Sequence, residues 1–212
     1  MKIINPSFEI LTNINGNELI NLEKGGRTCY KSDSEYTVDS SIKFVRNIIK
    51  SGHLAVIEHS LLTVKFICDR GVSHELVRHR IASFCQESTR YCNYSNDKFG
   101  NELTFIKPCF FEEDSERYKT WSDLMEEIEK TYLEMLSMGC KPEEARSVLP
   151  NSIKTEVVMS ANYREWRHFF ALRACDATGK AHPQMKELAI PLLKKVSKLI
   201  PVVFDDLVSE VE

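Results

Sequence analysis

The sequence has no glycine-rich phosphate-binding turn. Neither Gly-x-Gly-x-x-Gly nor Gly-x-x-x-x-Gly-Lys-Ser/Thr occurs in the 212 residues, and Gly25-Gly26 by themselves indicate only a turn. A dinucleotide bound by this protein would therefore have to be held at its phosphates by side chains.

Other absences limit the class of protein. No apolar run approaches the roughly 18 residues that indicate a membrane-spanning helix, and residues 1–6 lack the apolar core of a signal peptide. The net charge of -3 and the pI of about 6.1 give no basic excess of the kind that nucleic-acid binding usually needs. The sequence predicts a cytoplasmic protein that binds neither membrane nor nucleic acid.

The cysteines form no Cys-x-x-Cys pair. There are 7 of them, an odd number, so we expect seven free thiols in a reducing compartment. Because the spacing typical of zinc ligands is missing, zinc remains only a minor alternative and the sequence predicts no metal site.

Composition and periodicity predict the fold. With 42% apolar and 28% charged residues, residues 1–212 are expected to form one globular domain. Alternating apolar residues predict strands at 62–68 and 103–107, and Thr155, Val157 and Met159 suggest another. Helical spacing predicts a long helix over 115–138 and another opened by Pro183. Strands and helices do not alternate regularly, so the predicted class is α+β, with short strands in a mixed or antiparallel sheet packed with several long helices.

Several helix boundaries can be predicted from capping residues. Asp39, Asp69 and Asn162 are each expected to cap a helix, with Glu165 as the capping-box partner of Asn162. The long helix is expected to bury one broad apolar face for core or subunit packing, made of Tyr118, Trp121, Leu124, Met125, Ile128, Tyr132 and Met135.

Residues 78–91 gather cations in a chain that is acidic overall. Arg78, His79, Arg80 and Arg90 lie there with a single acidic residue, Glu87. Guanidinium groups match phosphate oxygens in two-pronged hydrogen bonds. This segment predicts a site for a phosphorylated small molecule, with a solvated basic face as the alternative.

The same segment resembles the signature of the flavin-dependent thymidylate synthases. Its Arg78-His79-Arg80, Ser83, Ser88 and Arg90-Tyr91 have the family's spacing. Further blocks of the family are matched, in order, between residues 52 and 173. They are His53 with Glu58-His59, Ala145-Arg146-x-Val148-Leu149-Pro150, Asn162-Tyr163-Arg164, and Leu172-Arg173.

The resemblance implies an enzyme that makes dTMP from dUMP. In such an enzyme 5,10-methylenetetrahydrofolate donates the carbon, NADPH reduces FAD, and reduced FAD supplies the hydride. The resemblance also implies a homotetramer whose sites are shared between subunits. The alternative is a non-catalytic nucleotide- or flavin-binding protein on the same scaffold, whereas an RNA-binding basic loop is disfavoured by the net charge.

The resemblance also implies roles for individual residues. Arg173 would face the pyrimidine of dUMP; the alternative is that Arg173 forms only a structural ion pair with an acid such as Asp176. His53 would act near the flavin. Ser88 is interpreted as a phosphate ligand rather than a nucleophile. The cofactor-binding set is Arg78, His79, Arg80, Gln86, Asn162, Tyr163, Arg164 and His168. The substrate-binding set is Glu75, Arg78, Gln86, Glu87, Ser88, Thr89, Arg90, Arg146 and Arg173.

Four positions depart from the family pattern. Cys85 and His168 stand where relatives usually have asparagine, and Tyr163 stands where they usually have alanine. Ala55 stands where they often have a small hydroxyl residue that touches FAD. At each of these positions, the contact that the usual side chain makes in relatives is not expected to form in the same way.

Overall fold

The computed structural model describes residues 1–32, 35–97 and 100–211. Within these ranges the strands are β1 (Lys2–Ile4), β2 (Ser7–Ile10), β3 (Leu61–Asp69), β4 (Ala82–Gln86), β5 (Thr104–Ile106) and β6 (Lys154–Asn162). The α-helices are α1 (Glu18–Thr28), α2 (Val38–Lys50), α3 (Arg70–Leu76), α4 (Glu116–Ser137), α5 (Pro142–Ala145), α6 (Tyr163–Arg173), α7 (Pro183–Leu199) and α8 (Asp205–Val208). Shorter 3-10 helices lie at Leu54–His59 and Arg146–Val148.

The strands form two sheets. β1 and β5 pair in parallel, with Lys2 opposite Thr104 and Ile4 opposite Ile106. The larger sheet has the order β2-β3-β6-β4. Along β3 and β6, the hydroxyls of Thr63 and Ser160 lie 2.8 Å apart, and the strand ends meet where Arg70 N donates to Ile153 O at 3.2 Å. The residue number of the partner on β6 falls as the residue number on β3 rises, so this pair of strands is antiparallel. Together with the parallel β1–β5 pair, this confirms the predicted α+β class with a mixed set of strand pairings.

The chain divides into two compact units, each built from separate stretches of sequence. The first unit comprises Met1–Ser7, Phe66–Arg78 and Cys85–Val157. The second comprises Phe8–Lys65, His79–Phe84 and Val158–Glu212. The prediction that residues 1–212 act as one domain stays a prediction.

The core of the first unit is organised around α4. Ser115 caps this helix by accepting from Tyr118 N at 3.1 Å, and Gly139, at φ +93°, follows its end. Met125 and Tyr132 of the expected apolar face are buried, and Trp121, Ile128 and Met135 pack, partly buried, against the same core. Leu124 of that face is 56% exposed, and the use of the face for subunit packing stays a prediction. The buried core cluster is Tyr94, Leu103, Phe105, Met125, Tyr132, Ala145 and Ile153.

Aromatic rings of α6 fill the core of the second unit. The Trp166 and Phe169 ring centroids are 5.2 Å apart, and Phe170 meets Phe204 edge-on at 5.5 Å. Trp166 Nε1 donates to Leu62 O at 2.9 Å, which satisfies the indole N–H inside the apolar interior. These contacts fix α6 against β3.

Two of the predicted helix caps are confirmed and one is wrong. Asp69 accepts from Val72 N at 2.7 Å and Asn162 accepts from Glu165 N at 2.9 Å. Asp39 lies inside the first turn of α2, whose N-cap is Thr37, bonded reciprocally with Ser40. Because the helix begins at Val38, the hydroxyl of Thr37 caps it in place of the expected carboxylate of Asp39.

Gly25 and Gly26 lie within α1 and do not form the expected turn. Gly26 is needed for helix packing, since a Cβ at this position would lie 2.5 Å from the Phe44 ring of α2. No helix in the described part of the chain is long and apolar enough to cross a membrane. All seven cysteines are free thiols, as expected, and Cys85 is exposed.

Candidate functional site

The candidate site of the second unit begins at the junction of β6 and α6. Asn162 ends the strand and caps the helix, so the residues that follow project from a fixed helical turn. Tyr163 is fully buried and its ring lies 5.9 Å from that of Phe204. The predicted contact of Tyr163 with a cofactor stays a prediction, and such a contact would have to come from the backbone.

A buried hydrogen-bonded chain joins three polar side chains. His79 Nδ1 lies 2.9 Å from Glu165 Oε1, and Arg173 Nε donates to His79 Nε2 at 3.3 Å. His79 is only 4% exposed and Glu165 only 6%. Because an arginine has no acceptor, His79 Nε2 must be the unprotonated nitrogen, and Nδ1 carries the hydrogen that is donated to Glu165.

Burial is the main cause that lowers the pKa of His79 below its ordinary value. The neighbouring Arg173 and His168 lower it further, whereas the hydrogen bond and charge of Glu165 raise it. The ring is therefore neutral at neutral pH, which is the state that the hydrogen-bonded chain requires.

His168 completes the cluster, with its ring centroid 5.7 Å from that of His79. Ligand-type atoms of His79, Glu165 and His168 lie within 4.8 Å of one another. Both nitrogens of His79 are already engaged, by Glu165 and by Arg173. We therefore interpret the cluster as a hydrogen-bonded chain, and the absence of a metal site stays a prediction.

A separate concavity of the second unit brings together two segments that are distant in sequence. Its volume is about 370 Å³. Arg164 of α6 lies at this cavity beside His53 and Ala55, and its Nη1 donates to Glu58 Oε1 at 2.6 Å. The lining residues are Gly26, Cys29, Tyr30, Ile48, Gly52, His53, Leu54, Ala55, Val56 and Arg164.

Within the first unit, the residues predicted to bind substrate follow β4. Gln86 Nε2 donates to Ser73 Oγ at 2.9 Å, which holds the end of the strand against α3. Glu87 accepts from Tyr94 at 2.8 Å and from Lys154 at 2.9 Å. The Glu87 side chain is thus held by an internal network, and its predicted contact with substrate stays a prediction.

The next residues form a turn near α5, in which Arg90 is exposed. Arg90 Nε donates to Glu143 Oε2 at 2.9 Å, and Ser88 Oγ accepts from Arg90 N at 3.3 Å. Thr89 is buried, whereas Arg146, which follows α5, is exposed. The Arg90–Glu143 ion pair joins the turn to the helix that precedes Arg146, so the structure brings these predicted substrate residues to neighbouring segments.

The remaining predicted residues lie around the end of α3. Glu75 is in the last turn of that helix, and Arg78 N donates back to Glu75 O at 3.4 Å. Arg78 and Arg80 are exposed, whereas His79 between them is buried. The three consecutive residues therefore do not present one continuous cationic surface.

Sequence reasoning missed the role of Glu165 and half of the cavity. Glu165 was expected only as a capping-box partner, but its carboxylate bonds to His79, which is 86 positions away. Gly26, Tyr30 and Ile48 line the cavity from α1, the segment after it, and α2. The four-residue spacing between Arg164 and His168 was the available signal that this face of α6 is polar.

Comparison with known proteins gives the family. Residues 11–202 match the family described as thymidylate synthase complementing protein. This chain belongs to that family.

Relatives with curated names support the assignment to the thymidylate synthase complementing protein family. The flavin-dependent thymidylate synthase of Pyrococcus furiosus is 36% identical over 157 residues, which cover 74% of this chain and 62% of that protein. The match therefore spans less than two thirds of the relative. The protein of the same name from Geobacter sulfurreducens is 32% identical over 187 residues, covering 85% of this chain and 78% of the relative.

A solved structure supports the fold of this family member. The UMP/dUMP methylase PolB from Streptomyces cacaoi, solved with 5-Br dUMP, superposes with a TM-score of 0.78. The superposition covers 99% of this chain and 97% of that one, at 22% sequence identity. At that identity the likeness shows a shared fold and nothing about activity.

Proposed function

We propose that this protein is a flavin-dependent thymidylate synthase that methylates dUMP to dTMP. In this proposal 5,10-methylenetetrahydrofolate is the carbon donor, FAD the cofactor and NADPH the reductant. The protein would act in the cytoplasm as a homotetramer.

One observation carries the proposal. The segment around His53 and the segment from Asn162 to His168 are two of the segments that the resemblance connects with flavin, besides residues 78–80 and Gln86, and His53 and Arg164 line one cavity. They lie more than a hundred positions apart in the sequence, so local structure alone would not bring them together. The names of the curated relatives support the same reading.

The residues at the cavity are compatible with one moiety of FAD. A volume of about 370 Å³ falls within the range of roughly 300–1,000 Å³ for small-molecule sites. Apolar side chains and glycines make up most of the lining, and Arg164 supplies a cation that could exchange its Glu58 partner for a phosphate. When bound, FAD would supply the redox chemistry of the methyl transfer.

Arg173 would activate the substrate. Its Nε donates to His79, and its guanidinium would contact the pyrimidine carbonyl. A fixed cation beside O4 would stabilise negative charge on the ring and make C5 more nucleophilic. The resemblance assigns the dUMP phosphate to Ser88 and Arg90, and Arg90 would exchange its exposed Glu143 partner for that anion.

The test is release of tritium from C5-labelled dUMP in the presence of FAD, NADPH and the folate. Arg173→Ala should lower kcat by roughly 100-fold, the magnitude typical of a lost charge-stabilising donor. Cys85→Ser should retain most of the activity, because ring polarisation by an arginine needs no thiolate at the exposed Cys85.

Arg117→Ala is the matched control, since Arg117 is an exposed arginine of α4 outside every predicted site. A protein that binds flavin and dUMP but releases no label would contradict the proposal and favour a non-catalytic binding protein. A covalent dUMP adduct on the wild type, lost together with activity in Cys85→Ser, would contradict the mechanism.

A further inference from the structure

We propose that Glu165 is a positioning residue that orients Arg173 through His79. Glu165 fixes the protonated nitrogen of the imidazole, and the imidazole in turn holds the Nε edge of the guanidinium. The importance of this chain for catalysis rests on the proposed function, because that function assigns the pyrimidine to Arg173. The hydrogen bonds themselves can be tested without any activity.

The direction of the hydrogen bonds carries the argument. Arg173 can only donate, so His79 Nε2 must accept at 3.3 Å. A carboxylate can only accept, so His79 Nδ1 must donate to Glu165 at 2.9 Å. Each partner requires the same tautomer, and the imidazole is locked between them.

The position of Glu165 argues against a purely local role. The cap of α6 is made by the Asn162 side chain, which accepts from Glu165 N at 2.9 Å, whereas the Glu165 carboxylate bonds to His79, 86 positions away. A carboxylate that is only 6% exposed would be costly to bury without a strong partner. Its position is explained if it holds His79, itself 4% exposed, in one orientation.

Arginine side chains have many rotamers, and fixing one costs conformational entropy. Arg173 is the last residue of α6. The hydrogen bond from Nε to His79 restricts the guanidinium plane before a ligand arrives. The conformational entropy of the Arg173 side chain is then lost during folding, and less is lost when the ligand binds.

Protonation of His79 would break the chain. The second ring proton would put an N–H on Nε2 directly against the Nε–H of Arg173, two donors facing each other. The charged and titratable groups that face the ring are Glu165, Arg173 and His168, and the Phe169 ring packs against it at 5.1 Å. Of these, only Glu165 raises the pKa of His79, so removing its charge should make the ring protonate at a lower pH.

The first experiment is nitrogen NMR of histidine-labelled protein at neutral pH, with the His79 signal assigned by its loss in His79→Gln. We expect a neutral ring with the hydrogen on Nδ1 in the wild type, and a mixture of tautomers in Glu165→Ala. A wild-type ring that is doubly protonated, or that carries its hydrogen on Nε2, would overturn the inference. This spectrum requires only the folded protein.

The second experiment compares steady-state kinetics of Glu165→Ala and Glu165→Gln. Losing a hydrogen bond to a charged group typically costs on the order of tenfold or more in an equilibrium or rate, so Glu165→Ala should lower kcat by at least about tenfold. The KM for dUMP should change less, because the phosphate contacts remain. Glu165→Gln, which is nearly isosteric, should keep more of kcat and shift the acidic limb of the pH profile to lower pH.

Glu23→Gln serves as the matched control, since Glu23 is a fully buried carboxylate of the same unit outside the cluster. It should reduce stability without moving the acidic limb. Equal behaviour of Glu165→Gln and Glu23→Gln in the pH profile would show a merely structural role and overturn the inference. A wild type with the expected tautomer but no label release would instead reject the proposed function.

Discussion

Glu23 lies fully buried in α1 of the second unit and accepts hydrogen bonds from three side chains. Ser41 donates at 2.7 Å, Ser40 at 2.8 Å, and Arg27 at 2.7 Å through Nη2. Burial by itself would raise the pKa of Glu23, but these donors outweigh it and the pKa is lowered. The charged form is therefore favoured by folding, which makes the stability of the protein depend on pH at this residue.

A group with a lowered folded-state pKa stabilises the protein above its unfolded pKa, and this contribution is lost as the pH falls. Glu23→Gln should therefore cost about 1–3 kcal/mol of unfolding free energy at pH 7. The cost should shrink below about pH 4.5, where the unfolded carboxyl takes up its proton. Urea unfolding at pH 7 and pH 4 measures both values. The same loss at the two pH values would show that the carboxylate charge is not what matters.

At the scale of elements, the packing of α1 on α2 depends on one small residue. A Cβ at Gly26 would meet the Phe44 ring at 2.5 Å, whereas a Cβ at Gly25 would find nothing within 4 Å. The two glycines are neighbours in one helix, so they differ only in the face they present. Substituting each by alanine therefore separates the effect of helix propensity on stability from the effect of packing against α2.

Gly25→Ala should stabilise the protein by about 0.5–1 kcal/mol, because alanine has the higher helix propensity. Gly26→Ala gains the same propensity but forces Phe44 to move, and overpacking of this kind costs roughly 1–3 kcal/mol. Thermal melting should therefore raise Tm for the first variant and lower it for the second. A rise in Tm for both would mean that α1 and α2 separate without cost.

The long or strongly patterned elements were predictable from the sequence. β3 and β6 carry clear alternation, and α4 and α7 have a helical apolar spacing with a capping serine and an opening proline. α1 was missed because its two adjacent glycines suggested a turn. β1 and β2 are only 3 and 4 residues long, too short to show a period.

The candidate site was predictable only in part, for a different reason. Motif spacing predicts Arg173, Arg164 and His53 as candidate site residues, but it cannot show which side chains touch. The link between His79 and Glu165 joins positions 86 residues apart, and it exists only after the segment between α3 and β4 has been brought against α6. Sequence spacing carries no information on such contacts.

For the whole molecule, the exposed apolar side chains suggest further association. Tyr91 is 76% exposed and Leu124 56% in the first unit, and Ile81 is 69% exposed and Tyr30 74% in the second. Large apolar groups in contact with water are typical of surfaces that bind a partner or ligand when they form contiguous patches. The homotetramer stays a prediction.

Light scattering at micromolar concentration should give a mass near four times the 24.4 kDa of one chain. Burial of exposed apolar groups between subunits would drive this association, since removing apolar surface from water is favourable. A dilution series followed by the C5 label-release assay shows whether activity depends on the assembly. A sample with the mass of one chain and full turnover would contradict sites shared between subunits.

The division into two units limits which chimaeras of this protein and a relative can fold. The chain passes from one unit to the other five times: once between Arg78 and His79, and once inside each of β2, β3, β4 and β6. A single crossover between two related genes would give at least one unit parts from both parents, because no cut separates one complete unit from the other. Exchange of parts between relatives is therefore expected to succeed only where the two parents have closely matching interiors.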